Sequence, residues 1–217
     1  MSELVLYSYW RSSAAYRVRI GLNLKALPYT QKNVHLLRDG GEQRSAAYRA
    51  LNPQALVPSL QHGNVVLNQS LAILEYLDDI HPAPALLPDD AAGRARVRAL
   101  AQLVACDIHP LNNLRVGQYL KAEYALAQAA VEDWMRHWMR EGFAAMEAML
   151  ARSEQTGAFC HGDTPTLADI CLIPQLYNAH RFGIDMAAYP TLAAIEARAL
   201  VLPAFEDAQP ENQPDAA

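Results

Sequence analysis

The first third of the chain alternates short apolar runs with segments of helical periodicity. A β-prone run at Leu4–Tyr7 precedes a predicted helix from about Ser13 to Lys25, which ends before Pro28. The other predicted elements here are a strand at Tyr29–Val34, a helix containing Ala46 and Leu51, strands at Val57–Leu60 and Val65–Leu67 on either side of His62-Gly63-Asn64, and a helix containing Leu71 and Leu77. The order β-α-β-α-β-β-α predicts a small mixed sheet, with a parallel βαβ half, an antiparallel hairpin and helices on its faces.

The remainder of the chain has helical periodicity throughout. Apolar residues recur at helix spacing from Val97 to Leu111 and from Val131 to Met149, where Trp and Met are interpreted as packing residues. Thr166 and Asp169 have the spacing of a capping box, with Asp in place of the usual Glu or Gln.

Proline clusters mark the predicted boundaries. Pro82, Pro84 and Pro88 predict a stiff connector. We therefore expect an α/β domain at residues 1–82, a linker at 83–88 and an all-α domain at 89–217. From about Gln209 the chain has few apolar residues and is predicted to be a frayed tail.

Composition and charge narrow the classes of function. The net charge is -5, which gives no electrostatic reason to bind nucleic acid or an anionic membrane. No apolar run approaches the roughly 18 residues of a membrane span, and Cys106, Cys160 and Cys171 show no Cys-x-x-Cys spacing. Cys160-His161 has no further ligands at zinc spacing. We expect a cytoplasmic protein without a metal.

The segment after the first strand is the first candidate for chemistry. Arg11, Ser12 and Ser13 lead into the predicted helix. A helix N-terminus presents unpaired N–H groups and a positive dipole end, which stabilise an anion and lower the pKa of a thiol held there. The alternative is that one serine only caps the helix.

Two more candidates lie near the predicted hairpin. In Asn52-Pro53-Gln54-Ala55-Leu56-Val57-Pro58, a cis Val57–Pro58 bond would turn the Val57 backbone outward, where it could pair with an extended peptide. Gln69 and Ser70, at the start of the next helix, suit a carboxylate. Capping by Ser70 is the alternative for that helix.

A fourth candidate is a polar segment within an apolar helical pattern. Pro110 is expected to kink the predicted helix there. Asp107, His109, Asn113 and Arg115 could then line a cleft. The alternative is that His109 is a structural residue.

Together these features resemble the glutathione transferase superfamily over essentially the whole chain. Ser12-Ser13-x-x-Tyr16-Arg17-Val18-Arg19-Ile20 is similar to the zeta-class signature Ser-Ser-Cys-x-Trp-Arg-Val-Arg-Ile. The segments listed next also agree with bacterial zeta members: Asn52-Pro53-Gln54, Val57-Pro58, Gln69-Ser70 and Asp107-Ile108-His109-Pro110. The resemblance implies the glutathione transferase fold, with a thioredoxin-like α/β N-terminal domain and an all-α C-terminal domain.

The resemblance also implies a glutathione site. Ser12 would hydrogen-bond the glutathione sulfur and favour the thiolate, assisted by Ser13. Val57, before a cis Pro58, would pair its backbone with the cysteinyl part. The other implied glutathione ligands are Gln69 and Ser70 for the γ-glutamyl carboxylate, Gln43 for the glycyl end, and His109 and Asn113 from the helical domain.

The function implied by the resemblance is cis–trans isomerisation of maleylacetoacetate in tyrosine and phenylalanine breakdown, with glutathione as cofactor. The substrate has two carboxylates, for which Arg11, Arg115 and Arg181 are the candidate ligands. Ala14 replaces the signature cysteine that zeta-like reductive dehalogenases need, so that reaction is not expected. The alternatives are isomerisation of maleylpyruvate in the gentisate pathway, general glutathione conjugation, and a non-catalytic binding role. A homodimer is also implied.

Overall fold

The computed structural model describes residues 3–216 and divides the chain into two compact units. Unit 1 contains the described residues up to Leu86 together with those from Val201 onward, and unit 2 spans Leu87–Leu200. Residues 1, 2 and 217, which fall within the predicted domain ranges, lie outside the described residues.

The strands of unit 1 form one mixed sheet. They are β1 (Leu4–Ser8), β2 (Thr30–Asn33), β3 (Ser59–His62) and β4 (Val65–Asn68), in the spatial order β2-β1-β3-β4. β1 pairs with β2 in parallel, with Val5 opposite Thr30. β1–β3 and β3–β4 are antiparallel. The predicted order of elements and the predicted directions of pairing are confirmed.

Three helices cover this sheet, α1 (Ser13–Leu24), α2 (Ala46–Leu51) and α3 (Ser70–Ile80). Leu6, Val18, Leu60 and Ile73, all fully buried, bring α1 and α3 onto one face of the sheet. The two helices approach so closely that a Cβ at Gly21 would lie 2.1 Å from a methyl of Leu74. Burial of this apolar face, rather than helix propensity, stabilises these short helices.

The proline-rich connector is tied to unit 1 by a buried lysine. The ammonium of Lys25, whose side chain has no exposed surface, donates to Asp78 Oδ1 at 2.8 Å and to the carbonyl oxygens of His81 and Pro84 at 2.6 and 2.8 Å. Asp78 also accepts from the N–H of Leu86 at 2.9 Å. The first residues of the predicted linker, up to Leu86, therefore belong with unit 1.

Unit 2 is built mainly from helices, with a loop between the last two long ones. They are α4 (Ala91–Gln102), α5 (Leu114–Tyr124), α6 (Gln128–Ala151), α7 (Leu167–Arg181) and α8 (Pro190–Ala199). Met135, Met139 and Met146 of α6 are buried as packing residues, whereas Met149 is 45% exposed. None of the helices in the described part of the chain is long and apolar enough to cross a membrane.

The segment around Pro110 is not a kinked helix. After α4 the chain makes a π-helical turn over Leu103–Ile108, closed by the N–H of His109 donating to the Val104 carbonyl at 2.9 Å. The helix ends before Pro110, because proline cannot supply the next N–H donor. A new helix then begins at Leu114, with Asn113 as its N-cap.

The C-terminal segment corrects two predictions. Residues from Val201 onward group with unit 1, not with the helical unit predicted at 89–217, and they include α9 (Pro203–Glu206) and a 3-10 helix at Pro210–Asn212. Phe205 is fully buried, and the Asn23 side chain of α1 donates to the Ala204 carbonyl at 3.1 Å. The predicted frayed tail is wrong, because Pro210 and Gln213 are buried and Asp215 accepts from the N–H of Trp10, far away in sequence.

Candidate active site

Ser12 caps α1 directly after the turn that follows β1. Its Oγ accepts from the N–H of Ala15 at 3.3 Å, and its own N–H donates to the Tyr9 carbonyl at 3.0 Å. Ser12 is half-buried, whereas Ser13, the first residue of α1, is buried. There is no acidic residue in the first turn, so nothing there offsets the positive end of the helix dipole.

Arg11 lies beside this cap. It is half-buried, and its guanidinium carbon lies 5.0 Å from the centroid of the Trp10 ring. A guanidinium stacked on an indole keeps its charge and its hydrogen-bond donors available at the ring edge. Ser12 and Arg11 thus place a hydroxyl donor and a cation on neighbouring residues of one turn.

The segment before Val57 is held by polar side chains. The Val57–Pro58 bond is cis, as the sequence interpretation required. The hydroxyl of Tyr48 donates to the Leu56 carbonyl at 2.7 Å, and the Asn52 amide donates to the same oxygen at 2.8 Å. Burial raises the pKa of Tyr48, so its hydroxyl remains a proton donor at neutral pH. These contacts fix the backbone from which Val57 is expected to act.

Tyr48 was not among the candidates from the sequence, which predicted a helix at this place without assigning it a function. The signal that could have found it is a tyrosine in an alanine-rich helix, four residues before Asn52. Residues four apart lie on the same face of a helix, so the Tyr48 phenol and the Asn52 amide can both reach the loop that follows.

Gln69 and Ser70 begin α3, as predicted, but Ser70 does not cap it. Gln69 is the N-cap residue, with φ of 71°, and its Nε2 donates to Gln54 Oε1 at 3.0 Å. Ser70 is the first helical residue, and its hydroxyl accepts from Nη1 of Arg17 at 3.3 Å. Since Arg17 is only 2% exposed, its positive charge lies under the N-terminus of α3, which suits a carboxylate there.

Gln43 lies in a loop after β2, within a short 3-10 helix at Glu42–Arg44. It is 7% exposed, and its Nε2 donates to the Leu36 carbonyl at 3.3 Å. Its Oε1 has no hydrogen-bond partner within residues 3–216. A buried amide oxygen of this kind needs a donor, which a bound peptide could supply.

The candidates in unit 2 lie around α5 and at the end of α7. His109 is half-buried after the π-helical turn, and Asp107 and Arg115 are exposed. The Oδ1 of Asn113 accepts from the N–H of Arg115 at 3.1 Å as the cap of α5. Within the polar segment around Pro110, Asn113 therefore has a structural role as the cap of α5.

Arg181 lies in a cleft of about 300 Å³ within unit 2, which Lys121 and Arg136 also line. Its Nη1 is 3.3 Å from Asn178 Oδ1, and its guanidinium stacks on Phe182 at 5.1 Å. Arg136 is engaged by Asp133 and Glu132 on its own helix. No group of three or more His, Cys, Asp or Glu in the described residues is arranged to hold a metal ion.

The fold and this site together define a protein of the glutathione transferase fold: a thioredoxin-like sheet with a helix N-terminus after β1, a cis-proline loop, and an all-helical unit. Residues 6–85 match the family described as Glutathione S-transferase, N-terminal domain, and residues 128–200 match Glutathione S-transferase, C-terminal domain. The chain belongs to the glutathione S-transferase family.

Comparison with individual relatives narrows the family membership to the zeta class. A protein of Vibrio cholerae named as a probable maleylacetoacetate isomerase is 54% identical over 216 residues, which is 100% of both chains. A solved holo structure of a maleylpyruvate isomerase, described as a bacterial zeta-class glutathione transferase, has a TM-score of 0.95 at 49% identity and covers 98% of this chain and 100% of its own. The maleylacetoacetate isomerase of Methylobacterium extorquens AM1, solved with malonate and glutathione, has a TM-score of 0.95 at 42% identity, covering 98% and 99%.

These findings confirm the resemblance drawn from the sequence. The zeta-like signature around Ser12 lies where the sequence placed it, at the start of α1.

Proposed function

We propose that this protein is a glutathione-dependent isomerase that converts maleylacetoacetate to fumarylacetoacetate in tyrosine and phenylalanine breakdown. The observation that carries the proposal is the similarity along the entire chain to a protein named for that reaction. The same name belongs to a relative whose structure contains glutathione and malonate, a small dicarboxylate. The residues of unit 1 fit the same cofactor.

The glutathione ligands proposed in unit 1 are backbone and polar groups that match a peptide. Gln69 and Ser70, above the buried charge of Arg17, would hold the γ-glutamyl carboxylate. The Val57 backbone would pair with the cysteinyl part, and Gln43, whose buried Oε1 needs a donor, would bind the glycyl end. His109 and Asn113 are kept as proposed glutathione ligands of unit 2, each to be tested by substitution.

When bound, glutathione supplies a thiolate that adds to the cis double bond and leaves again after rotation about the resulting single bond. The part played by this chain is to favour that anion. Ser12 has a hydroxyl hydrogen that its capping bond does not use, and Ser13 begins the helix whose N–H groups and dipole point the same way. A thiol at such a position has its pKa lowered, as in other helix-terminal thiol sites.

Carboxylate recognition is assigned to arginines. Arg11, next to Ser12, is the candidate closest in sequence to the proposed sulfur site, and it presents donors beside the Trp10 ring. Arg115 and Arg181 are the candidates in unit 2. A planar guanidinium binds both oxygens of a carboxylate, which a lysine cannot do.

Ala14 bears on which zeta-class reaction the protein performs. It occupies the position of the signature cysteine and is half-buried in the first turn of α1. Without a thiol at this position the chain lacks the group that would form a mixed disulfide with glutathione. Isomerisation needs no thiol from the protein, so it is compatible with Ala14.

Turnover of defined substrates tests this function. The purified protein should isomerise maleylacetoacetate only when glutathione is present, with a higher kcat/KM than for maleylpyruvate. An aromatic chloronitro electrophile should be a poor substrate. A clear preference for maleylpyruvate would move the assignment to the gentisate pathway, and failure to bind a glutathione column would favour a non-catalytic role.

The cellular location and the oligomeric state of the protein are part of the same proposal. We expect a cytoplasmic homodimer, as for the fold family. Analytical ultracentrifugation should then give a mass about twice the 24.0 kDa of the chain. A monomeric mass at micromolar concentration would contradict the dimer and would leave the isomerase proposal standing.

A further inference from the structure

We propose that Arg19 and Asp215 are positioning residues that hold the Trp10 backbone from both sides and thereby set the position of Ser12. This inference rests on the proposed function, since it concerns the serine assigned to the glutathione sulfur. Asp215 comes from the C-terminal segment, more than two hundred residues away along the chain. Neither side chain is among the residues to which the sequence assigned a role.

The contacts to Trp10 are direct and short. Its N–H donates to Oδ2 of Asp215 at 3.0 Å, and its carbonyl oxygen accepts from Nη2 of Arg19 at 2.9 Å. The turn is completed when Ser12 donates its N–H to the Tyr9 carbonyl at 3.0 Å. Both peptide units that flank Trp10 are therefore held by charged side chains, two residues before Ser12.

Arg19 joins three separate parts of unit 1. Besides Trp10, its Nη1 donates to Ser8 Oγ at 3.1 Å at the end of β1, and its Nε donates to the Ala208 carbonyl at 3.0 Å in the C-terminal segment. Arg19 has no exposed surface, and this burial lowers its pKa to about 10, with Tyr29, Tyr16 and, least, Asp215 opposing the shift. The guanidinium is therefore still charged at neutral pH.

A buried charge of this kind contributes little net stability, because its desolvation offsets much of the attraction to its partners. What it contributes is geometry, since the guanidinium fork orients three acceptors at once. Those acceptors belong to the end of β1, the turn before Ser12 and the C-terminal segment. This arrangement therefore fixes the position of the turn before Ser12 and adds little to the free energy of unfolding of the unit.

The C-terminal segment is itself well anchored, so it can act as a support. Gln213 donates through its Nε2 to the carbonyl oxygens of Asp207 and Gln209 at 2.9 and 2.8 Å. The other carboxylate oxygen of Asp215 is 3.4 Å from Nε2 of Gln31, on β2. Asp215 is thus placed between the edge strand and the turn.

Displacement of Trp10 would affect both groups proposed for the chemistry. Ser12 follows two residues later, and the guanidinium of Arg11 stacks on the Trp10 ring. Misplacement of a reacting group by about 1 Å can lower a rate by about a hundredfold. A clamp on the Trp10 backbone is therefore expected to influence the thiol of bound glutathione without contacting it.

The test compares two carboxylate deletions in the same segment of the intact chain. Asp215→Ala removes the acceptor of the Trp10 N–H, and Asp207→Ala removes an exposed carboxylate outside the Trp10 contacts. For each protein the pKa of the bound glutathione thiol is measured from thiolate absorbance against pH, together with kcat and the melting temperature. We expect Asp215→Ala to raise the thiol pKa and to lower kcat about tenfold, and Asp207→Ala to change neither.

Conservative variants separate positioning from general stability. Asp215→Asn keeps an oxygen acceptor for the Trp10 N–H and should restore most of the kcat and the low thiol pKa. Arg19→Lys keeps the charge but cannot reach three acceptors, so it should change the same two measurements in the same direction. If Arg19→Lys does not fold, the thiol pKa and kcat of Asp215→Ala decide whether the inference holds.

The outcomes are distinguishable. A thiol pKa and kcat in Asp215→Ala equal to those of Asp207→Ala would overturn the inference while leaving the proposed function intact. A fall in melting temperature with an unchanged thiol pKa would also overturn it, since Asp215 would then be only structural. An ordinary thiol pKa in the unsubstituted protein would contradict the proposed role of Ser12 and this inference with it.

Discussion

At the scale of single residues, the geometry of Ser12 is compatible with both of the roles that the sequence presented as alternatives. Its Oγ accepts from the Ala15 N–H as a helix cap, and a hydroxyl that accepts one hydrogen bond still has its own hydrogen to donate. Capping fixes the side chain, so the hydroxyl hydrogen can be directed at an anion without further loss of rotamer freedom. A serine is thus suited to a helix terminus that must also bind a thiolate.

Substitution of Ser12 tests this double role. Ser12→Ala should lower kcat/KM for maleylacetoacetate about 10- to 100-fold, because a hydrogen bond to a charged group contributes roughly 1.5–3 kcal/mol. It should also lower the free energy of unfolding by about 1 kcal/mol through loss of the cap. Steady-state kinetics and urea denaturation measure the two effects.

A cap in the other unit serves as the control for Ser12→Ala. Asp90 caps α4, with Oδ1 accepting from the Gly93 N–H at 2.8 Å. Asp90→Ala should cost similar stability and leave kcat/KM unchanged. Equal turnover in Ser12→Ala and Asp90→Ala would refute the assignment of the sulfur ligand.

At the scale of secondary structure, α7 shows how a local signal and burial act together. The predicted capping box is confirmed, with the Thr166 N–H donating to Oδ2 of Asp169 at 2.8 Å. The structure adds a partner that the local pattern did not predict, the N–H of Cys160, which donates to Oδ1 at 2.8 Å. Burial raises the pKa of Asp169, and these hydrogen bonds oppose the shift.

The buried cap of α7 predicts a large effect on stability. Asp169→Ala leaves the N–H groups of Thr166 and Cys160 without their acceptor in a fully buried place, and should lower the free energy of unfolding by about 2–4 kcal/mol. Glu154→Ala, an exposed carboxylate in the preceding loop, should change it by less than about 0.5 kcal/mol. Chemical denaturation compares them, and similar midpoints would contradict the structural role of the box.

At the scale of the whole molecule, the described residues from Val201 onward return to the unit that contains β1. The segment from Val201 onward packs against α1 through Phe205, and the Tyr16 hydroxyl lies 3.5 Å from the Phe205 carbonyl. Unit 1 is therefore formed by two stretches of sequence with the whole of unit 2 between them. We therefore expect the stability of unit 1 to depend on this C-terminal segment.

Truncation of one aromatic side chain tests that dependence. Phe205→Ala should lower the free energy of unfolding by about 3–5 kcal/mol, the usual cost of removing a buried phenylalanine ring. Val201→Ala, at a position 75% exposed in the same segment, should be nearly neutral. Thermal unfolding measures both, and a neutral Phe205→Ala would show that the segment is dispensable to unit 1.

Features that depend on nearby residues were predictable from the sequence alone. Hydrophobic periodicity, capping and signature motifs act over a few residues. They therefore predicted the elements of the sheet, the start of α1, the capping box of Thr166 and Asp169, and the zeta-like signature. The same locality explains the errors. The stretch from Gln209 resembled a frayed tail because its few apolar side chains and its prolines carry no local sign of the partners that satisfy it.

Only the tertiary structure decided which distant groups meet. Arg17 and Arg19 are two residues apart on one helix, so they point in different directions, one to Ser70 and the other to Trp10 and Ala208. Arg19 is buried where three acceptors converge, one of which, the Ala208 carbonyl, lies 189 residues away, and Arg17 reaches Ser70 across 53 residues. The sequence by itself therefore determined the helices, the strands and the family, whereas long-range hydrogen bonding and packing determined the setting of Ser12.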